Sequence, residues 1–417
     1  MLESLKIAFK IPDLRKKFYW TLFLLAIFRL GSHIVVPGMK PHNFGENNIF
    51  NLLDLFSGGA LSNMSVFALG VNPYITSSIV FQLLMMVIPR LQELSKEGAE
   101  GRRIISRYTK YLTMLLALLQ AWAITMGFRQ AMVNPGSTGS LISIIITMTA
   151  GTVFLTWLGD IISERGIGNG VSMLIFAGIV ARFVPNAIAN MQAVGEGGVS
   201  LFGLLLFVVL TVAIVAFIVI VTQGERKIPV QYAKRVVGRK MYGGQSTHLP
   251  LRVNQVSVIP VIFASSVLAF PMTIAGFLPV TSGVYKFINR FFFPGRTIYL
   301  IIYSVFIFLF TYFYTAVTFN PVEVADNLKK YGGFIPGIRP GRPTAEYLDK
   351  VLTRVTTAGA LFLTFVALLP YLLSPLTGIQ QIGFGGTSLL IAVGVAIDTM
   401  KQIEAQLIMR QYEGFLK

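Results

Sequence analysis

The sequence predicts an all-α integral membrane protein, and three observations carry that assignment. Of its 417 residues, 54% are hydrophobic and 13% charged, with a mean hydropathy of +0.68, far outside the range of soluble globular domains. The apolar residues fall in repeated runs of about 20, the length that crosses a hydrocarbon core as a helix. The cations, which leave a net charge of +17, gather between alternate runs.

Windows of about 19 residues place spans at 18–36, 71–89, 108–128, 140–159, 171–190, 201–222, 257–278, 298–319, 356–373 and 385–402. The first follows MLESLKIAFKIPDLRKK, which lacks the charged start, short apolar core and small-residue cleavage site of a signal peptide, so this span is expected to stay in the mature protein. Residues 50–68 are a weaker, shorter candidate, interrupted by Gly58 and Gly59 and carrying Asn51, Asp54, Ser57, Ser62, Asn63 and Ser65. The span at 71–89 is itself unusually polar, with Asn72, Pro73, Thr76, Ser77 and Ser78 near its start. The later spans are plain apolar runs, separated by two long basic stretches at 223–256 and 321–355. The last carries Asp398 and Lys401, three apart on a helix and expected to pair near the headgroups.

With the N-terminus on the cytoplasmic side, 28 of the 35 Lys and Arg fall in cytoplasmic segments and 6 on the opposite side, Arg29 lying within the first span. That asymmetry is a strong positive-inside signal. A complete crossing at 50–68 would put the basic residues of 90–107 on the wrong side. This segment is therefore expected to enter the membrane from outside and turn back. Ten spans divide as five and five, and an odd number per half sets two halves in opposite orientation, although no residue-level repeat is visible.

Catalytic patterns are not found. The chain has no cysteine, hence no disulfide or thiolate chemistry. HExxH, GxSxG and Walker A patterns are absent, and His33, His42 and His248 are too scattered to suggest a metal site. GIGNG at 166–170 resembles a phosphate-binding loop, but no strand precedes it and it reads as a turn. A secondary transporter of small solutes would need a charged or coordinating site at the midplane, and an intramembrane enzyme a catalytic dyad at depth; neither is evident. The basic stretches are long and mixed with Tyr, Gly, Pro, Gln and Thr, which suits a docking surface for a protein or an RNA-containing machine better than simple lipid attraction.

Long motifs, in order along nearly the whole chain, carry a family likeness: GVNPYITSSIVFQLL at 70–84, WLGDIISERGIGNGVSMLIFAGIV at 157–180, YAKRVVGRKMYGGQSTHLPLRVN at 232–254, IPVIFASSVLAFP at 259–271, RPGRPTAEYLDKVLTRVT at 339–356 and FGGTSLLIAVGVAIDTMKQIEAQL at 384–407. The chain resembles the SecY family, the central channel subunits of the bacterial Sec protein translocon. The resemblance implies ten transmembrane helices in two inverted five-helix halves, 1–190 and 191–417, around an hourglass pore. It implies passage of unfolded polypeptide across the membrane and lateral release of hydrophobic segments between the second and seventh helices.

On that resemblance, residues 50–68 become a short re-entrant plug helix that includes Leu52, Leu55, Phe56, Gly58, Gly59, Leu61 and Met64. A plug that must leave its seat suits a segment too polar and too glycine-broken to settle in lipid. The pore ring falls on Val71, Ile75, Val171, Ile175, Ile262 and Ile391, with Val71 standing where isoleucine is commoner. A narrow apolar collar of this kind resists ion flow by dewetting yet deforms around a passing chain. The lateral gate falls on Thr76, Ser77 and Gln82 on one side and Ser265, Ser266 and Phe270 on the other. Lys234, Arg235, Arg239, Lys240 and Arg339 are assigned to docking of the ribosome or the SecA ATPase. SecE and SecG subunits, signal peptides and nascent polypeptides are the other implied partners. No cofactor or metal is implied, and the driving energy comes from the partner. The implied location is the bacterial inner membrane, with both termini cytoplasmic.

Overall fold

The computed structural model describes residues 11–41, 54, 57–195, 200–232, 235–237, 240–242, 246–275, 278, 282–293, 295–377 and 386–415. Each predicted span carries a helix. They are α1 (Pro12–Gly31), α2 (Asn72–Val87), α4 (Ala99–Gly127), α5 (Thr138–Arg165), α6 (Gly170–Gly195), α7 (Leu201–Gln223), α8 (Ile259–Ala275), α10 (Thr297–Thr318), α12 (Arg342–Thr377) and α13 (Gly386–Phe415). Shorter helices lie between them: α3 (Pro89–Lys96), α9 (Gly283–Phe292) and α11 (Pro321–Lys330). Among the described residues, five helices are long and apolar enough to cross a membrane, or six if α2 and α3, bent by 104° at their junction, count as one.

The ends differ from the hydropathy reading for identifiable reasons. Helix α1 stops at Gly31, five residues early, where Ser32 and His33 fold back onto the carbonyls of Phe28 and Leu30. Helix α2 ends before Pro89, which cannot continue its hydrogen-bond ladder. Helices α4 and α12 begin well before their apolar runs, in charged turns that hydropathy does not register.

The basic stretches are not plain loops, which corrects the all-α expectation outside the membrane. Strands β1 (Glu225–Tyr232) and β4 (Ser246–Arg252) pair antiparallel from Glu225–Arg252 to Gln231–Ser246. Strand β5 (Gly333–Phe334), from the other basic stretch, adds to the opposite edge of β1 through Gln231–Phe334 and Tyr232–Gly333. A separate ribbon joins β2 (Arg235–Val237) to β3 (Lys240–Tyr242). In β1 the alternation is carried by only two inward residues, Ile228 and Val230, among Lys, Arg, Pro and Gln. These two pack with Leu251, Ile335, Leu348 and Val351, seating the sheet on the start of α12.

Helix packing shows an order that the residue sequence hides. In the first half α1 packs on α5 and α6, α2 on α4, α4 on α5, and α5 on α6. In the second half α7 packs on α12 and α13, α8 on α10, α10 on α12, and α12 on α13. Reading α1, α2, α4, α5, α6 against α7, α8, α10, α12, α13, each pairing of the first group recurs in the second, where α8 also touches α12. The halves meet where α2 touches α8 and where α6 touches α7 and α13.

The GIGNG turn between α5 and α6 is a tie rather than an anion cradle. Its amides are already used: Ile167 N donates to Thr21 Oγ1 (3.0 Å), Gly168 N to Gln402 Oε1 (3.1 Å) and Gly170 N to Ser163 Oγ (2.8 Å). It thereby fastens α1, α5 and α13 together. Gly170 is required there, because a Cβ would lie 1.8 Å from the Gly159 carbonyl oxygen.

Candidate functional site

Between α1 and α2 the chain turns into the protein rather than crossing it. Its path is set by backbone pairing with the end of α1: Val36 N donates to Met64 O and Val66 N to Ile34 O, both at 2.9 Å, placing Val35 opposite Ser65. Ala60, Leu61 and Met64 are buried. Returning Leu61 and Met64 to water costs about 1.5–3 kcal/mol each. Gly58 adopts φ +68 and lies so close to α6 that a Cβ would stand 2.7 Å from Gly178 Cα. Gly59 also has a positive φ and lies beneath the Arg182 guanidinium.

A buried charge sits in this turn. The Asp54 side chain is 0% exposed and forms an ion pair with Arg182 of α6, itself 25% exposed. Asp54 Oδ1 accepts from Leu61 N (2.9 Å), Ser62 N (3.0 Å) and Ser57 Oγ (3.2 Å), while Ser62 Oγ donates to Oδ2. Arg29 of α1 donates from Nη1 to the Gly58 carbonyl at 2.8 Å. Read from the sequence, Asp54 has no evident partner, since Arg182 lies far along the chain. The available signal was that a carboxylate within an apolar re-entrant segment must find a cation.

The six residues expected to line a ring all lie in or against the main apolar core of the bundle. Val71, Ile75, Ile175 and Ile391 are buried members of one apolar cluster, and Val171 and Ile262 pack against it. They arrive from α2, α6, α8 and α13, the helices through which the halves meet. Ala60 and Phe67 of the turned-in segment belong to the same core. Val71 caps the start of α2, and its position is set by the turn at Gly70, where φ is +57.

The expected gate residues divide. Thr76 is half-buried, its hydroxyl donating to Asn72 O (3.0 Å) within α2, and Gln82 Nε2 donates to Ser78 Oγ (3.4 Å). Ser265 and Ser266 are half-buried on α8, Ser265 Oγ donating to Ile262 O (2.9 Å), and Phe270 is exposed. Ser77 does not share this face. It is buried against α4, donating to Thr109 O at 2.7 Å, because it stands one position round the helix from Thr76. Asp398 does not pair with Lys401 among the described residues; Ser257 Oγ donates to its Oδ2 at 3.4 Å.

Arg339 is exposed between β5 and α12, flanked by Gly337 and Gly341, with its carbonyl accepting from Thr344 Oγ1 (2.8 Å). Arg235 and Lys240 belong to the β2–β3 ribbon. Leu52, Leu55, Phe56, Lys234 and Arg239 lie outside the described residues.

A bundle of apolar helices, with a folded segment tied to its wall through two arginines, defines a polytopic membrane protein. The SecY family model matches residues 65–400, and the chain belongs to the SecY family. It is 47% identical to the protein translocase subunit SecY of Streptomyces scabiei, over 100% of both chains. Its fold matches a structure described as a protein-conducting channel, with a TM-score of 0.69 at 20% identity over 97% of each chain. It also matches Sec61 in a canine ribosome-channel complex from the endoplasmic reticulum, with a TM-score of 0.64 at 18% identity over 97% of each chain. At these identities the two structural likenesses are of fold alone.

Proposed function

We propose that this chain is the channel subunit of a bacterial Sec translocase, passing unfolded polypeptide across the inner membrane and releasing hydrophobic segments sideways into lipid. The observation that supports it is that Val71, Ile75, Val171, Ile175, Ile262 and Ile391 all lie in or against one apolar core, to which Ala60 and Phe67 of the turned-in segment also belong. In this reading ten helices span the membrane as two inverted halves, 1–190 and 191–417, whose matching packing supports a pseudo-twofold relation. The six apolar residues form the constriction of an hourglass, and the segment 50–68 is the plug that closes it. The lateral opening runs between α2 and α8, along Thr76, Gln82, Ser265, Ser266 and Phe270; Ser77, turned to α4, is left out of it.

The chain does no chemistry of its own. A motor or a ribosome supplies the driving energy from the cytoplasmic side, where the positive-inside asymmetry places both termini. Arg339 on its exposed turn, with Lys234, Arg235, Arg239 and Lys240, forms the docking surface for SecA or the ribosome. SecE and SecG complete the complex, and signal peptides enter at the lateral gate.

Site-specific photocrosslinking tests the path. A photoreactive residue at position 75, 175 or 262 is expected to trap a stalled secretory chain in purified membranes. Failure at all three positions, in a folded complex bound to its motor, would show that these side chains are core packing and not a pore.

A further inference from the structure

The hydrogen bonds of Asp54 fall into two groups. Those from Ser57, Leu61 and Ser62 come from its own segment and travel with it. Among the described residues, the carboxylate's bond from the channel wall is that of Arg182, and Arg29, also of the wall, donates to the Gly58 carbonyl. If the segment leaves, the carboxylate keeps its internal partners and releases one cation. The charge therefore stays solvated by its own turn while its attachment is broken.

Arg29 and Arg182 hold neighbouring points of one turn, the Gly58 carbonyl and the Asp54 carboxylate, which brings two like charges to the same site. The Asp54 carboxylate pairs with the Arg182 guanidinium in a site that water reaches only in part.

We propose that Asp54 and Arg182 form a releasable ionic latch that, with Arg29 on the Gly58 carbonyl, sets the balance between the seated and displaced states of this segment. Both side chains are thus positioning residues for channel closure. The inference rests on reading the segment as the plug.

The arrangement orders the consequences of substitution. Asp54→Asn leaves two cations facing each other without a counter-charge. Arg182→Gln leaves a carboxylate that retains its internal bonds. The first is the more disruptive, and removing both charges is milder than removing the carboxylate alone, since an uncompensated buried charge costs more than a missing pair. Because Arg182 is a quarter exposed, Asp54→Asn is expected to raise the displaced fraction on the order of 10- to 100-fold rather than more.

The test measures resting ion conductance of the full complex in planar bilayers for Asp54→Asn, Arg182→Gln, the double variant and Arg182→Lys. Seating is followed separately. The chain has no cysteine, so Val35→Cys with Ser65→Cys, at positions that oppose each other, adds one pair whose oxidation rate reports the seated state. The latch predicts the largest leak and slowest oxidation for Asp54→Asn, partial relief on adding Arg182→Gln, and near-normal behaviour for Arg182→Lys. Leaks that simply add in the double variant, or Asp54→Asn oxidising at the parental rate without leak, would overturn it. The oxidised 35–65 pair tests the underlying reading alone. Blocked polypeptide transport upholds the plug whatever the latch does, and normal transport in the locked protein refutes the plug itself. A variant that misfolds is recognised by its protease pattern, and Arg182→Lys, which keeps the charge, then carries the comparison.

Discussion

Replacing Gly58 by Ala asks how tightly the turned-in segment is held by the wall of the bundle. The residue has φ +68, and its Cβ would lie 2.7 Å from Gly178 Cα and 3.1 Å from Gly178 O. Both neighbours are backbone, so neither can swing aside as a side chain would. Overpacking at a rigid contact costs about 1–3 kcal/mol, while the left-handed strain stays with the turn in either state. This offsets a sizeable part of the burial of Leu61 and Met64 that favours the seat. At about 1.4 kcal/mol per decade, the seated-to-displaced ratio falls on the order of 5- to 150-fold. Conductance of the resting complex in planar bilayers should rise accordingly, and transport of substrates with weak signal sequences should improve. Gly98→Ala is the control: it has a similar φ of +79 but nothing within 4 Å, and lies far along the chain between α3 and α4. It should cost stability only locally and leave conductance unchanged. A Gly58→Ala protein as tight as the parent would refute the claim that this contact seats the segment.

Ile75→Asn together with Ile391→Asn should wet the constriction, raising ion leak and relaxing signal-sequence selectivity; parental conductance would count against the ring. Arg339→Glu should abolish transport driven by SecA while leaving the channel folded, because the residue is exposed and the hydrogen bond from Thr344 goes to its backbone carbonyl; normal transport would exclude it from docking. Gly170→Ala should force α5 and α6 apart, since its Cβ would meet the Gly159 carbonyl at 1.8 Å. A loss of about 1–3 kcal/mol or more should appear as a lowered thermal transition in detergent, against no change for Gly283→Ala, which has open space.

Hydropathy located the helices because each carries an apolar run, and charge asymmetry argued against a full crossing at 50–68 because it would break the pattern. The same signals were blind where structure depends on partners far along the chain. Strand β1 has only Ile228 and Val230 to mark its inner face, and its pairing with β5 is set by residues around Phe334. Ser77 looked equivalent to Thr76 by composition, yet a helix turns successive side chains about 100° apart and sends it to α4. The Asp54–Arg182 pair joins residues far apart in sequence, and no local pattern announces it. The correspondence between halves survives in which helix packs on which, because packing constrains size and apolarity while leaving residue identity free.

The pairing of β5 with β1 bears on how the protein is made. Tyr232 and Gly333 are joined across a stretch of chain that includes α8, α9, α10 and α11. Closing so long a loop is slow and gains its hydrogen bonds only at the end. During synthesis, one edge of β1 is therefore left uncovered until the chain beyond α11 has emerged and been threaded into place. The completed sheet is a record that the intervening helices have been inserted. A machine that recognises all three strands would engage finished channels and pass over those still under construction.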